Sequence, residues 1–199
     1  IAVWVLYIRH GFRTSLHCHP KKKTSLVVLR GRAVSRTLHT KYVLDCGDGL
    51  RIDAGAFHST EAASAEGIVV MEIETPNNKK DLVRLRDMYG REGEGYEGKE
   101  HHVPLNDLEY TSVESFHDKN SRYGVRKRIG NCYISIVYSR KGEDIMQLLR
   151  DSRAHLIAVL DGELSLAGEP LYRGGVWQVH DLKNKGDIDS MTEVELLCI

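Results

Sequence analysis

The first 75 residues break into short runs rich in Val, Ile, Leu and Thr with glycines between them, and this texture restricts the chain to a β architecture. The runs are 2–8, 14–19, 25–30, 41–44, 50–52 and 68–74, with Gly11, Gly31, Gly47, Gly49, Gly55 and Gly67 interrupting them. Segments this short, bounded by turn residues, read as strands of an antiparallel sandwich or barrel. The same texture returns after Gly130, in 132–139, 155–160, 163–166, 176–179 and 193–199. Asp161-Gly162, lying between two apolar runs, reads as a hairpin turn.

The middle of the chain differs. In 75–90, Thr75 can cap, Pro76 suits a first helical turn, and Leu82, Val83, Leu85, Met88 and Tyr89 recur at helical spacing before Gly90. A short helix is expected there. Residues 91–123 are polar and glycine-rich without a period, as in a linker or lid. The expected organisation is all-β: a barrel over 1–75, a helix and polar linker or lid over 76–123, and a second β domain over 124–199.

Charge removes several classes of function. Of 199 residues, 28 are Lys or Arg and 28 are Asp or Glu, so the formal net charge is zero. No global field draws the chain to nucleic acid or to an anionic bilayer, and neither is expected as a partner. The opening run 1–8 stops at Arg9 and His10, far short of the roughly 20 apolar residues that cross a bilayer. No small-residue cleavage site follows it, so it reads as a strand. The chain starts at Ile1 with no methionine, which is compatible with a preceding piece that belongs to the fold. Cys18, Cys46, Cys132 and Cys198 form no CxxC pair. That pattern fits reduced thiols of a cytoplasmic protein, each acting as a small buried hydrophobe.

The chemistry concentrates in His17-Cys18-His19 and His58. On a strand, residues two apart share a face, so the two imidazoles aim together while Cys18 points away. A histidine from another strand would complete a three-nitrogen face on a metal, with positions left for water or substrate.

The glycines around these histidines carry a resemblance. Gly11-x5-His17-x-His19-x4-Thr24-x6-Gly31 and Gly47-x5-Asp53-x-Gly55-x2-His58-x3-Ala62, fifteen residues (32–46) apart, resemble the two sequence motifs of the cupin superfamily. The resemblance implies a jelly-roll barrel holding a divalent transition metal on His17, His19 and His58. Iron or zinc is expected first, and manganese or nickel also suits imidazole ligands. Gly31 and Gly47 would permit strand reversals, and Gly55 a tight approach just before the third ligand.

Three positions depart from the motifs: Thr24 replaces a glutamate, Asp53 a proline and Ala62 an asparagine. Three neutral ligands leave the site with net +2, which favours anionic substrates, or oxygen bound at the metal. Thr24 can hydrogen-bond a substrate, and Asp53 is either a turn residue or an orienting partner of a ligand. Lys22 and Lys23, in the Lys21-Lys22-Lys23 turn, and Arg84 are the candidate anion binders. Glu72 and Glu74 share one face of the run 68–74, with Val69, Met71 and Ile73 on the other. If that face looks inward, Glu72 is the general-base candidate.

In the second half, 155–162 repeats the glutamate-to-glycine spacing with His155 in the glutamate place, and Gly174-x5-His180 resembles the start of the second motif. Leu148 and Arg150 stand where an HxH would be. This half resembles a degenerate, metal-free cupin, making the chain bicupin-like. His101, His102, His117 and His180 read as loop or surface residues.

The stretch 74–98 resembles small bacterial cupins of surface-polysaccharide metabolism and sugar-phosphate-isomerase-like cupins. The implied activity is isomerisation or epimerisation of a phosphorylated or nucleotide-linked sugar. The alternatives are a three-His Fe(II) dioxygenase and a non-catalytic cupin that binds a sugar or small ligand. A small anionic or sugar substrate and a homodimer are the expected partners.

Overall fold

The computed structural model describes residues 1–92, 124 and 126–199. In the first half the strands are β1 (Ala2–Ile8), β2 (Leu16–Cys18), β3 (Lys23–Arg30), β4 (Ala33–Arg36), β5 (Lys41–Leu44), β6 (Gly49–Ile52), β7 (Ser59–Ala62), β8 (Ile68–Thr75) and β9 (Val83–Arg86). One antiparallel sheet has the order β1-β8-β3-β6. Opposite it lie β5-β4-β7 and the pair β2-β9, joined by single bridges between Arg13 and Glu61 and between His17 and His58. The two walls make a jelly-roll barrel.

Alternation along β3 and β8 decides what fills it. Leu26 and Val28 of β3 join Ile68 and Val70 of β8 in the barrel core, together with Ile8, Ala33, Leu44 and Ala62. The other face, Val27, Leu29, Met71 and Ile73, packs on Ile134, Ile136, Leu156 and Leu197 of the second half. This sheet is covered on both sides, which explains the unbroken apolar run at 26–29. At Gly31 a Cβ would lie 2.6 Å from the Gly67 carbonyl oxygen, and φ is +79°, so the β3–β4 reversal requires glycine twice over.

The second half contains β10 (Lys127–Ile129), β11 (Cys132–Ser139), α1 (Ile145–Ser152), β12 (Leu156–Asp161), β13 (Leu164–Leu166), β14 (Glu169–Leu171), β15 (Val176–Gln178), α2 (Val179–Lys185), β16 (Ile188–Ser190) and β17 (Val194–Cys198). A sheet β10-β11-β17-β12-β15 faces a smaller one, β14-β13-β16. Val137, Val159, Leu164 and Leu196 pack between them with apolar residues of both helices.

Several expectations are corrected. Residues 76–90 do not form a helix: their centre is β9, antiparallel to β2. Val83, Leu85, Met88 and Tyr89 are all exposed, so no core rewards a helical face, and pairing with the open edge of β2 prevails. The short helices lie instead at α1 and α2. Asp144 caps α1 by accepting from the Gln147 amide at 2.9 Å, and Ile145, Leu148 and Leu149 are buried. Leu148 and Arg150 are therefore helical. Asp161-Gly162 is a corner between sheets rather than a hairpin, since β12 pairs with β15 and β17 while β13 pairs with β14 and β16. Cys18 and Cys198 are buried as expected, but Cys46 is exposed and Cys132 half-buried. Among the described residues no helix is long and apolar enough to cross a membrane.

Candidate metal centre

His17 sits on β2, His19 directly after it, and His58 directly before β7. The main chain locks the first and last together: the His17 amide donates to the His58 carbonyl at 3.0 Å, and the His58 amide donates back at 2.7 Å. The Gly55 amide donates to the His19 carbonyl at 2.8 Å. Gly55 has φ +79° with open space around it, so the turn needs its backbone freedom rather than a close approach.

The side chains converge inside the barrel. His17, His19 and His58 are all buried, and each offers a ring nitrogen within 4.8 Å of those of the other two. Each Nδ1 faces a carbonyl oxygen: His17 that of Ser15 at 2.8 Å, His19 that of Asp81 at 2.6 Å, and His58 that of Ala56 at 3.0 Å. A carbonyl only accepts, so each Nδ1 carries the hydrogen and each Nε2 keeps a lone pair. His58 Nε2 is buried with no hydrogen-bond partner among the described residues. Such an orphan in a 2 % exposed side chain is costly unless something else occupies its lone pair.

The imidazoles are held neutral. Burial pushes His17 down to about 3, with the neighbouring His58 adding to the effect, and pushes His58 down to about 4 despite its Ala56 hydrogen bond. His19 is also lowered, by burial first. Three neutral nitrogen donors, oriented from behind by carbonyls, fit a divalent transition metal and could hold one.

Carboxylates arrive from β8. Glu74, 7 % exposed, places Oε1 at 2.9 Å from Lys22 Nζ and 3.4 Å from His19 Nε2, while Trp4 Nε1 donates to its Oε2 at 3.2 Å. Glu72 follows the same parity into the barrel. Burial pushes its carboxyl up to about 7, with the Glu74 charge adding and Lys22 opposing.

The other sequence candidates divide. Lys22 is 3 % exposed and committed to Glu74. Thr24 is buried and opposite Glu74 in register, its Oγ1 without a hydrogen-bond partner among the described residues. Arg84 lies opposite His17 on β9 and its charge helps to lower that histidine. Lys23 is not brought to the cluster: it is exposed, with Nζ 4.2 Å from the Tyr172 ring centre of the second half. Asp53 is an exposed turn residue whose carbonyl accepts from the Ala56 amide. His155 is exposed, and His180 is an exposed residue of α2 beside Asn184. His101, His102 and His117 lie outside the described residues.

Sequence reasoning missed the parts played by Glu74 and Asp81. Besides receiving the His19 ring through its carbonyl, Asp81 accepts the Lys21 and Lys22 amides on Oδ2 at 2.9 and 2.8 Å. It thereby fixes the lysine turn against the site. The parity of 68–74 was the available signal for Glu74; nothing local marks Asp81.

No family model matches this chain, and none of the curated proteins gives a significant match. Solved structures do resemble part of it. An uncharacterized conserved protein with a double-stranded β-helix domain from Klebsiella pneumoniae is 20 % identical with a TM-score of 0.40, over 43 % of this chain and 74 % of that one. A proposed sugar phosphate isomerase from Acidithiobacillus ferrooxidans is 23 % identical with a TM-score of 0.34, over 36 % of this chain and 47 % of its own length. The capsular polysaccharide assembling protein CapF from Staphylococcus aureus is 21 % identical with a TM-score of 0.39, over 43 % of this chain and 28 % of its own.

Proposed function

We propose that this chain is a metal-dependent cupin that isomerises or epimerises a small anionic, sugar-like substrate, of the phosphorylated or nucleotide-linked kind used in surface-polysaccharide metabolism. The observation that carries this reading is the pairing, in one barrel, of three neutral imidazoles with an inward carboxyl, Glu72, that titrates near neutrality. A base works best when its pKa lies near the operating pH. The Glu72 carboxylate takes the proton from a carbon next to the substrate carbonyl and, in isomerisation, returns it to the former carbonyl carbon as the hydroxyl proton crosses to the other oxygen; in epimerisation solvent water protonates the opposite face of the same carbon and Glu72 gives its proton up to solvent. A divalent ion on His17, His19 and His58 supplies Lewis-acid polarisation of the carbonyl oxygen when bound. Arg84, beside His17, holds the substrate anion.

The test is proton exchange. Metal-loaded protein is incubated in D2O with sugar phosphates and nucleotide-linked sugars, and deuterium entering carbon is followed by NMR. The reading expects exchange that Glu72→Gln abolishes while metal content is kept; exchange that survives the substitution contradicts it. Thr24 in the glutamate place favours a second reading, a three-His Fe(II) dioxygenase. Oxygen uptake by the Fe(II)-loaded chain in place of carbon-proton exchange would select it.

A further inference from the structure

Beside Glu72, the inward face of the barrel holds a second carboxylate that the sequence motifs do not account for. Thr24 and Glu74 are partners in the antiparallel pairing of β3 with β8. Opposed residues on one face have Cβ atoms roughly 4.5–5.5 Å apart, so a longer side chain on one strand reaches the space of a shorter one on the other. Thr24 leaves such a space: its hydroxyl is buried and makes no hydrogen bond among the described residues. Glu74 extends toward His19, with its Oε1 3.4 Å from His19 Nε2.

Resting on the metal reading above, we propose that Glu74 is the carboxylate ligand of this site, delivered from β8 in place of the side chain at position 24. Two ligands on one ion at roughly 2.0–2.2 Å each are separated by about 3 Å when adjacent. The His19–Glu74 separation is close to that already. The carboxylate is also held in place, since Trp4 Nε1 donates to Oε2 and leaves Oε1 facing the imidazole. Lys22 Nζ, 2.9 Å from the same Oε1, supplies the positive charge that a buried carboxylate requires when no cation shares it. The carboxylate lowers the charge of a loaded site from +2 to +1. The site therefore differs from a three-nitrogen centre in both ligand count and charge.

Co(II) is the probe, because its visible absorption reports the ligand set and its affinity is measured against a chromophoric chelator. Wild type, Glu74→Gln, and the exchange variant Thr24→Glu/Glu74→Thr are compared, with thermal unfolding as the control for folding. Glu74→Gln is expected to bind Co(II) about tenfold to a hundredfold more weakly with an altered absorption band. The exchange variant is expected to regain affinity to within about tenfold of wild type, because the carboxylate reaches the same corner from β3. Wild-type affinity and an unchanged band in Glu74→Gln would overturn the proposal. If Glu74→Gln fails to fold, the exchange variant decides: Co(II) affinity within about tenfold of wild type with the wild-type absorption band supports the assignment, and a folded variant that binds more weakly with the band of a three-nitrogen centre overturns it. A wild-type chain that takes up no Co(II), Zn(II) or Fe(II) would remove the metal reading itself. Equal binding by wild type and Glu74→Gln would remove only the role of Glu74.

Discussion

His17 and His58 face each other across an isolated antiparallel bridge, exchanging two main-chain hydrogen bonds, with ring centres 4.4 Å apart. The backbone thus sets the spacing of two imidazoles before either side chain chooses a rotamer. A histidine cluster built this way is preorganised, and its cost is the burial of three neutral rings whose protonated forms are disfavoured together.

That cost appears as a pH dependence. His17, His19 and His58 have depressed pKa values, so below the ordinary 6.5 the unfolded chain binds protons that the fold refuses. The histidines' contribution to the stability of metal-free protein is full above that value and is lost as pH falls through about 4 for His58 and about 3 for His17. Glu72 acts in the opposite sense: its raised pKa makes its contribution full below the ordinary 4.5 and lost as pH rises through about 7. In chelator, Glu72→Gln should therefore gain more stability than wild type on going from about pH 5 to about pH 7, read as urea midpoints. Parallel pH profiles would contradict this.

Lys22 and Glu74 form a buried ion pair, and removing one partner leaves the other charge uncompensated. Lys22→Met in metal-free protein should lose about 3–5 kcal/mol of unfolding free energy at neutral pH, far more than an exposed pair would cost. Urea denaturation measures it, and a loss below about 1 kcal/mol would show the pair to be solvated.

Ile73 is fully buried against the second half. Ile73→Ala should cost about 2–5 kcal/mol and lower the unfolding midpoint of the chain as a whole, because one apolar layer is shared by the two sheets. Two separated transitions by circular dichroism would show instead that the halves unfold independently.

Cys46 Sγ lies 3.7 Å from Cys132 Sγ, and both thiols approach the Leu29 carbonyl. A disulfide needs about 2.05 Å, a small approach for an exposed partner. Diamide, a diazene oxidant, should take two hydrogens from this pair, leaving an intramolecular bridge and two fewer free thiols. Cys46→Ser should protect Cys132, whose own thiol is pushed up to about 12, first by burial. Loss of thiols at Cys18 or Cys198 instead would contradict the pairing.

What was legible in the sequence was what local pattern controls. The runs at 2–8, 41–44 and 132–139 became β1, β5 and β11, because their apolar and β-branched residues suit a sheet at any position in it. The histidine set was legible because strand parity and the glycine register bring distant residues to one corner. β4 and β7 were not, since AVSR and STEA show no strand pattern and are held by pairing with each other. The helix expected within 75–90 failed for the same reason: a free strand edge outside the local window outweighed a helical spacing. Glu74 was seen on the right face, but its meeting with His19 depends on the β3–β8 register, which no single segment encodes.

Elemental analysis of protein purified without added metal, wild type beside His58→Ala, asks whether the three imidazoles hold an ion. Wild type should carry about one divalent transition-metal ion per folded chain and the variant far less, since His58 contributes a buried nitrogen with no other partner among the described residues. Equal metal content in the two proteins, or none in wild type even after loading, would contradict the account.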